Sequence, residues 1–424
     1  MDESAWGLRL VSLLGLGCWL GLAWVLSSAR RRFPWRTVLW GLALQFGLAL
    51  LLLRTAWGQA VFRATGEAIR ALTVFAEEGC RFVFGPLADS AAMNQVFAGR
   101  GLVFAILVSG TIILVSSLSS LLYHWGVLQR VVRAMAWGMR RLMGTSGAET
   151  LSAAANVFMG QTEAPLLVRP YIPRMTRSEL LCLMTGGMAT IAGGVAAVYA
   201  RMGAEAGHPE MAGHLLTASV LNAPAALLIS KILVPETEVS ETAAGHLQDP
   251  PRTTVNSLDA LCQGAAEGLR LSLNVLAMLI AFVAVVALVN ALLAWPQTRL
   301  GVEQPVTLQG LLGWLHAPFA WLLGVPAQDC VMVGRILGER IVLNEFIGYA
   351  TLTHPDTVLT DRGFTLATYA LCGFANFTSI AIQVGGIGSL APERRPEMAR
   401  LGVRAMLGGV LATYSTACVA GMLL

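Results

Sequence analysis

The chain has 424 residues, of which 55% are hydrophobic and only 13% are charged. This composition excludes a soluble globular domain and predicts a polytopic membrane protein. The net charge of +4 is small, and the arginines of the chain lie mostly in short connections between apolar runs. This distribution is typical of residues that orient a protein in a membrane rather than of a nucleic-acid-binding surface. The seven cysteines form no CxxC pair, which argues against a disulfide framework or a cysteine metal site.

The N-terminal part of the chain is predicted to be a helical hairpin. Residues 10–26 and 38–53 are free of charge and long enough to cross about 30 Å of hydrocarbon. The connection between them, residues 30–36, carries four arginines, so the positive-inside rule places it in the cytoplasm and the N-terminus outside. Asp2 and Glu3 precede the first run and three arginines (30–32) follow it, an arrangement that argues against a cleaved signal peptide.

The segment that follows is predicted to be an amphipathic helix. In residues 59–84 apolar side chains recur at helical spacing with charged residues between them, which is typical of a helix lying on the outer membrane surface. A solvated loop helix has the same pattern and is the alternative.

The next segments alternate long apolar runs with one short polar one. Residues 102–122 form the third predicted span and lead to four arginines between positions 130 and 141. Residues 150–171 are polar and have basic residues on both sides, which predicts a re-entrant hairpin at the cytoplasmic face. Residues 180–199 cross outward, and their Gly- and Thr-rich sequence predicts a broken helix, with close helix packing as the alternative.

The second half of the chain repeats this arrangement from the opposite side. Its predicted spans are residues 215–229, 271–295, 364–384 and 405–424. A second polar segment, residues 328–349, is predicted to be the second re-entrant hairpin. The predicted fold is therefore an all-α polytopic membrane protein with about eight spans and two hairpins in an inverted repeat, the layout of secondary transporters. Both termini are predicted to lie outside.

Two carboxylates are the leading candidate functional residues, Glu163 on the first hairpin and Glu345 on the second. A charged side chain at bilayer depth costs about 2.5 to 3.5 kcal/mol or more, so an intramembrane Glu indicates a functional site by default. Both lie in segments flanked by Gly or Pro, as expected where broken helices expose backbone amides to a ligand. Ordinary extramembrane turns are the alternative. The nearby charges of Arg335, Glu339 and Arg340 are predicted to neutralise one another.

Five short motifs together point to one protein family: residues 160–165 (GQTEAP), 175–179 (MTRSE), 184–193 (MTGGMATIAG), 344–346 (NEF) and 376–383 (NFTSIAIQ). In residues, order and spacing they resemble the concentrative nucleoside transporter family, in its bacterial eight-span form. The resemblance covers nearly the whole chain. The chain departs from the family pattern at residues 338–340, where Gly-Glu-Arg replaces Gly-x-Lys, and at residues 347–348, where Ile-Gly replaces Val-Ala.

The resemblance implies a homotrimeric, sodium-coupled nucleoside symporter of the cell inner membrane, with no catalytic activity and no nucleic-acid partner. In this family a transport domain moves like an elevator against a scaffold. The implied divisions are an N-terminal scaffold hairpin (1–58), an outer-surface segment (59–100), a scaffold span (101–127), a first repeat with hairpin 1 in the transport domain (128–234), a cytoplasmic linker (235–268), a second scaffold span (269–305) and a second repeat with hairpin 2 in the transport domain (306–424).

The resemblance also assigns substrate-binding residues. Those expected to face the nucleobase are Gln161, Thr162, Glu163, Val195 and, less directly, Phe374. Those expected to bind the ribose hydroxyls are Glu345, Asn376 and Ser379. The chemistry is suitable, because a carboxylate beside an amide and a hydroxyl can both accept from and donate to vicinal hydroxyl groups.

The sodium ligands that the resemblance implies are Asn156, Thr190 and the backbone carbonyls of Met159 and Ile191. Oxygen ligands of this kind suit a hard cation. Proton coupling through Glu163 or Glu345 is the alternative within the same fold, and interhelical hydrogen bonding is the alternative for the Asn, Ser and Thr residues. An intramembrane hydrolase that uses the two carboxylates, and a channel, are alternatives from other classes.

Overall fold

The structure is a computed structural model that describes residues 3–89, 92–93, 103–243 and 254–424. Parts of four predicted segments lie outside these residues: the start of the N-terminal hairpin (1–2), the end of the outer-surface segment (90–91 and 94–100), the start of the third span (101–102) and part of the linker (244–253). Every regular element in the described ranges is a helix, which confirms the predicted all-α class.

The first four helices follow the predicted order of two spans, an amphipathic helix and a third span. They are α1 (Glu3–Val25), α2 (Trp35–Arg54), α3 (Ala56–Phe84) and α4 (Phe104–His124). A polar connecting helix, α5 (Val127–Met143), then leads to the first hairpin.

The first hairpin has one α-helical and one 3₁₀-helical arm. It runs from α6 (Gly147–Ala155) through a non-helical tip to a 3₁₀-helix at Ala164–Arg174. Pro170 and Pro173 lie inside that second arm, where their missing N–H groups oppose a regular α-helix. The predicted broken helix follows as α7 (Arg177–Ala189) and α8 (Gly193–Glu205), and residues 190–192 separate the two halves.

The helix starts at the base of this hairpin are fixed by two capping boxes. The Ser146 hydroxyl accepts from the Glu149 N–H, and the Glu149 carboxylate accepts from the Ser146 N–H at 2.7 Å. Thr176 and Glu179 make the same reciprocal pair at the start of α7. Each box satisfies two backbone donors that the first helical turn leaves unpaired, which explains how buried helix ends are tolerated here.

The second half begins with one continuous span and one unusually long helix. These are α9 (Met211–Leu233) and α10 (Ser257–Arg299). At 43 residues α10 is about 65 Å long, roughly twice the thickness of a hydrocarbon core. It begins well before the predicted span at residue 271, inside the segment assigned to the linker, because the Asn256 side chain caps it by accepting from the Asp259 N–H at 2.9 Å.

The second hairpin and the final spans contain one break that the sequence interpretation missed. The helices are α11 (Leu308–Leu322), α12 (Cys330–Val342), α13 (Glu345–Leu352), α14 (Asp361–Leu371), α15 (Phe377–Leu390) and α16 (Arg395–Leu423). The predicted continuous span at residues 364–384 is divided into α14 and α15. The described residues contain seven helical stretches that are long and apolar enough to cross a membrane, compared with eight predicted spans. The difference is the span at residues 364–384, whose two halves are each too short to be counted.

Burial separates the helices into a core and a surrounding layer. In the apolar windows of α7–α8 and of α9, 89% of the residues are buried, compared with 6% in α10. Along α10, Gly264 and Gly268 lie so close to α4 that an added Cβ would meet the Ser116 carbonyl oxygen at 2.6 Å and the Ile113 Cα at 2.7 Å. This Gly-xxx-Gly contact joins α4 and α10 into one tightly packed pair outside the core.

A buried ion pair fastens α9 to the base of the first hairpin. The Lys231 Nζ lies 2.7 Å from Glu149 Oε2, and it also donates to the Ser178 hydroxyl at 2.9 Å. Glu236, in the connection after α9, is a third partner at 3.2 Å. The lysine thus ties together the capping box of α6, the first turn of α7 and the end of α9.

Lys231→Met is expected to destabilise the protein strongly, because removal of one partner leaves the other buried charge unpaired, at a cost of about 3 to 5 kcal/mol. Adding Glu149→Gln removes that charge and keeps the amide oxygen for the Ser146 cap, so the double variant should recover most of the loss. Thermal unfolding in detergent measures both effects. A single variant with the wild-type Tm would contradict this role of the ion pair.

Candidate functional site

The candidate site is a cavity of about 370 Å³ between the two hairpins, the two helix breaks and α10. All eight residues predicted to contact substrate line it: Gln161, Thr162, Glu163, Val195, Glu345, Phe374, Asn376 and Ser379. The remaining wall comes largely from α10, including Leu271, Asn274 and Met278. The structure therefore brings together residues that are more than 200 positions apart in the chain.

Glu345 is the most strongly organised group in this cavity. Its side chain is 7% exposed, and its two oxygens accept from the Tyr199 hydroxyl at 3.1 Å and from Asn376 Nδ2 at 2.9 Å. It is the first residue of α13, where the unpaired N–H groups of a helix start favour a negative charge. The carboxylate is thus oriented by two helices and retains lone pairs for a ligand.

Two asparagines build the helix breaks and part of the site at the same time. Asn344 caps α13 by accepting from the Ile347 N–H at 3.0 Å, and Asn376 caps α15 by accepting from the Ser379 N–H at 2.9 Å. Asparagine is among the best N-cap residues. Because a backbone N–H can only donate, the Asn376 oxygen must face it, which leaves the Asn376 NH₂ group for Glu345.

Glu163 lies at the tip of the first hairpin and is partly exposed to the cavity. Its carboxylate accepts from the Gly160 N–H at 3.2 Å, a bond within the tip itself. Glu163 also borders a second cavity of about 270 Å³, which is lined by Gln263 and Glu267 of α10 as well. Glu163 therefore borders both cavities, whereas Glu345 lines the first.

The residues predicted to bind sodium lie beside this cavity, where the first hairpin meets the break in α7–α8. Asn156 is fully buried, and neither amide atom of its side chain has a hydrogen-bond partner among the described residues. The Thr190 hydroxyl donates to the Gly186 carbonyl at 3.0 Å, which leaves its lone pairs available. Met159 and Ile191 lie outside the helices. A buried carboxamide without hydrogen-bond partners is unfavourable unless a ligand binds to it. The side-chain oxygens of Asn156 and Thr190 and the backbone carbonyls of Met159 and Ile191 are suitable ligands for a hard cation.

The prediction that Arg335, Glu339 and Arg340 neutralise one another is wrong for Arg340. Arg335 does pair with Glu339, at 2.9 Å. Arg340 is fully buried on another side of α12, where it donates to the Ala370 carbonyl at 2.6 Å and the Gly373 carbonyl at 3.3 Å. These carbonyls lie at the end of α14, where helix termination leaves acceptors unpaired and favours a cation.

Sequence interpretation missed two polar residues that support the site. Tyr199 lies one helical turn after Val195, and it also stacks on Tyr349 with ring centroids 4.0 Å apart. Gln383 lies one turn after Ser379 and donates to Gln161. Residues four positions apart share a helix face, so this spacing was the available signal. The contribution of α10 had a weaker signal, the polar residue Asn274 in an otherwise apolar stretch.

Three family models match successive parts of the chain. Models described as "Na+ dependent nucleoside transporter" match residues 14–87 (N-terminus) and 214–421 (C-terminus), and a model described as "Nucleoside recognition" matches residues 105–206. Together they cover both hairpins and all the predicted site residues.

Individual relatives are similar over the same length. The nucleoside permease NupC of Helicobacter pylori is 38% identical over 97% of both chains. The sodium/nucleoside cotransporter 1 of Rattus norvegicus is 40% identical over 98% of this chain, which spans 64% of that longer protein. The solved transporter CNTnw in an inward-facing substrate-bound state superposes with a TM-score of 0.90 at 38% identity, covering 97% of this chain and 98% of that one. A variant of CNTnw in an outward-facing state also gives 0.90, at 38% identity over 98% and 97%.

Asn376→Asp is expected to destabilise the protein even though aspartate is an equally good N-cap. Its second oxygen would replace the donor that faces Glu345, so two buried carboxylates would oppose each other and cost about 1 to 3 kcal/mol. Asn256→Asp at the exposed start of α10 is the matched control and should be neutral. Thermal unfolding of both variants distinguishes the cases, and an equal Tm for the two would contradict the assigned orientation of Asn376.

Proposed function

Because the chain belongs to the concentrative nucleoside transporter family, we propose that it is a sodium-coupled nucleoside symporter. The family and the relatives are transporters, so the protein is a multi-pass membrane transporter rather than a hydrolase. The observation that carries the proposal is a cavity lined by both hairpins, in which the buried Glu345 carboxylate is held by Tyr199 and Asn376.

The Glu345 side of the cavity is suited to a ribose. Its carboxylate oxygens accept from vicinal hydroxyls, while the second N–H of Asn376 and the hydroxyl of Ser379 provide donors beside it. Such charge-assisted bonds are about twice as strong as neutral ones, and the surrounding burial strengthens them further. The hydroxyl-bearing sugar is therefore the part of the substrate that this half recognises.

The hairpin-1 side is suited to a nucleobase. Gln161, Thr162 and Glu163 present both donors and acceptors, which a base edge requires. Val195 is buried on α8, and the Phe374 ring is partly exposed, so together they offer an apolar contact for the base face. A flat heterocycle with a polar rim matches this combination.

Sodium is the proposed coupling ion, with Asn156, Thr190 and the carbonyls of Met159 and Ile191 as its ligands. Asn156 and Met159 belong to the first hairpin, and Thr190 and Ile191 belong to the break between α7 and α8. The hairpin and the break are also joined directly, because the Gly193 N–H donates to the Phe158 carbonyl at 3.2 Å. Cation binding would thus stabilise the hairpin that borders the substrate. One sodium ion entering across about 100 mV gains about 2.3 kcal/mol, and a tenfold gradient adds about 1.4 kcal/mol, enough for a nucleoside gradient of several hundredfold.

An elevator-type movement fits the two kinds of wall around the cavity. Hairpins and broken helices belong to the buried core, whereas the opposite wall belongs to α10, which packs against α4. A core that slides along this pair would carry the substrate between the two membrane faces. The proposed scaffold is residues 1–58, 101–127 and 269–305.

We place the protein in the inner membrane with both termini outside, as a homotrimer joined through the exposed apolar surface of the scaffold.

Glu345→Gln is expected to reduce nucleoside uptake at least about 100-fold. The amide would lose the charge-assisted bonds to the ribose, worth about 1.5 to 3 kcal/mol each, and its NH₂ group would face one of two existing donors. Uptake into proteoliposomes and the gel-filtration profile are measured together, with Glu210→Gln, at an exposed position, as the control. Near-normal uptake by a well-folded Glu345→Gln protein would refute the ribose assignment.

Replacing sodium by choline at constant pH is expected to abolish concentrative uptake by the wild-type protein. Asn156→Ala should raise the sodium concentration for half-maximal uptake at least about tenfold, because a ligand oxygen is removed from a site that otherwise stays intact. Asn256→Asp serves as the control. Undiminished uptake in choline that instead follows a pH gradient would replace sodium by protons as the coupling ion.

A further inference from the structure

A chain of hydrogen bonds runs from the backbone of α7 to the candidate cavity. Gln383 Nε2 lies 3.0 Å from the Met184 carbonyl oxygen and 3.1 Å from Gln161 Oε1. Gln161 Nε2 in turn lies 3.3 Å from the Ser379 hydroxyl. Gln383 itself does not line the cavity, so it can act on a ligand only through Gln161.

The direction of every bond in this chain follows from its first member. A backbone carbonyl can only accept, so the group of Gln383 that faces Met184 must be its NH₂. The second hydrogen of that NH₂ group points to Gln161, which must therefore present its oxygen. The other end of the Gln161 amide is then its NH₂ group, which has one hydrogen for Ser379 and one for the cavity.

Tight packing holds both amides in this orientation. Gln383 is fully buried and Gln161 is 7% exposed. Gly187 lies against them, and a Cβ at that position would come within 2.7 Å of Gln383 Nε2 and 2.9 Å of Gln161 Cβ. A rotation of Gln161 would place its NH₂ against the NH₂ of Gln383, which leaves buried donors facing each other and is therefore unfavourable.

We propose that Gln383 is a specificity-determining positioning residue, which fixes Gln161 as a hydrogen-bond donor towards the nucleobase. This inference rests on the proposed function of the cavity. It deepens that function by defining the substrate class: nucleosides whose base presents a carbonyl acceptor to the tip of the first hairpin. Polar sites of this kind discriminate strongly, because a mismatched partner leaves a buried group unpaired.

The test compares nucleosides with analogues in which one carbonyl oxygen is replaced by sulfur, a weaker acceptor. The pairs are uridine with 2-thiouridine, uridine with 4-thiouridine, and inosine with 6-thioinosine, each measured as the KM for sodium-driven uptake or as the inhibition constant against a transported nucleoside. In the wild-type protein we expect at least one replacement to raise the constant at least about threefold.

In Gln383→Leu the amide of Gln161 is free to rotate, and we expect this sulfur penalty to fall to within about 1.5-fold of unity. The ratio between uridine and 2′-deoxyuridine, which reports on Glu345 and Asn376, should stay within about twofold. Gln45→Leu is the matched control, since Gln45 is a fully buried glutamine of α2 that donates to Thr416 at 3.1 Å, away from the cavity. It should leave every ratio unchanged.

Gln161→Glu is a second variant that keeps the size of the side chain and its bond from Gln383, in case Gln383→Leu does not fold. Its second carboxylate oxygen can only accept, so the sulfur penalty should again be lost. A penalty of the same size in the variants, or the lack of any penalty in the wild-type protein, would overturn the proposal while nucleoside uptake persists. Lack of all nucleoside uptake would instead refute the proposed function.

Discussion

The structure depends on one constraint, that backbone N–H and C=O groups at membrane depth must find partners inside the protein. Helix breaks are therefore confined to places where other side chains replace the missing helical bonds. In the second half of this chain the breaks beside the cavity have such a replacement: Asn344 and Asn376 supply oxygens to the N–H groups of new helices, and Arg340 supplies donors to the carbonyls of an ending one. At the break between α7 and α8 a backbone group does this, because the Gly193 N–H donates to the Phe158 carbonyl. The groups that make the breaks tolerable also create the polar cavity.

Side chains with two roles also link the two hairpins. Asn376 satisfies a helix start with one end of its amide and orients Glu345 with the other, so the geometry of hairpin 2 and of the second break cannot change independently. Gln161 connects hairpin 1 to that same helix through Ser379 and Gln383. The polar wall of the cavity is thus one hydrogen-bonded network that joins both repeats.

Hydropathy and charge were sufficient to predict seven of the eight spans, both hairpins and the position of a carboxylate on each hairpin, because the cost of burying charge in lipid is large compared with local propensities. They failed where the deciding partner is distant. The break before Asn376 looks like continuous apolar sequence, since its cap depends on one asparagine. The early start of α10 depends on Asn256 in a segment whose composition is that of a linker. Tyr199 and Gln383 acquire their roles only when α8 and α15 meet hairpins elsewhere in the chain.

Arg340 stands where the sequence resemblance predicts a lysine, and its surroundings are suited to a guanidinium. The guanidinium donates through Nη1 to the Ala370 carbonyl and the Thr413 hydroxyl, and through Nε to the Gly373 carbonyl. A lysine would bring the same charge to a single point, whereas the planar fork reaches acceptors on both α14 and α16 at once. Gly373 immediately precedes Phe374, a cavity residue, so the arginine fixes the backbone that enters the site. A fully buried cation is tolerable because the carbonyl end of α14 supplies the opposing dipole.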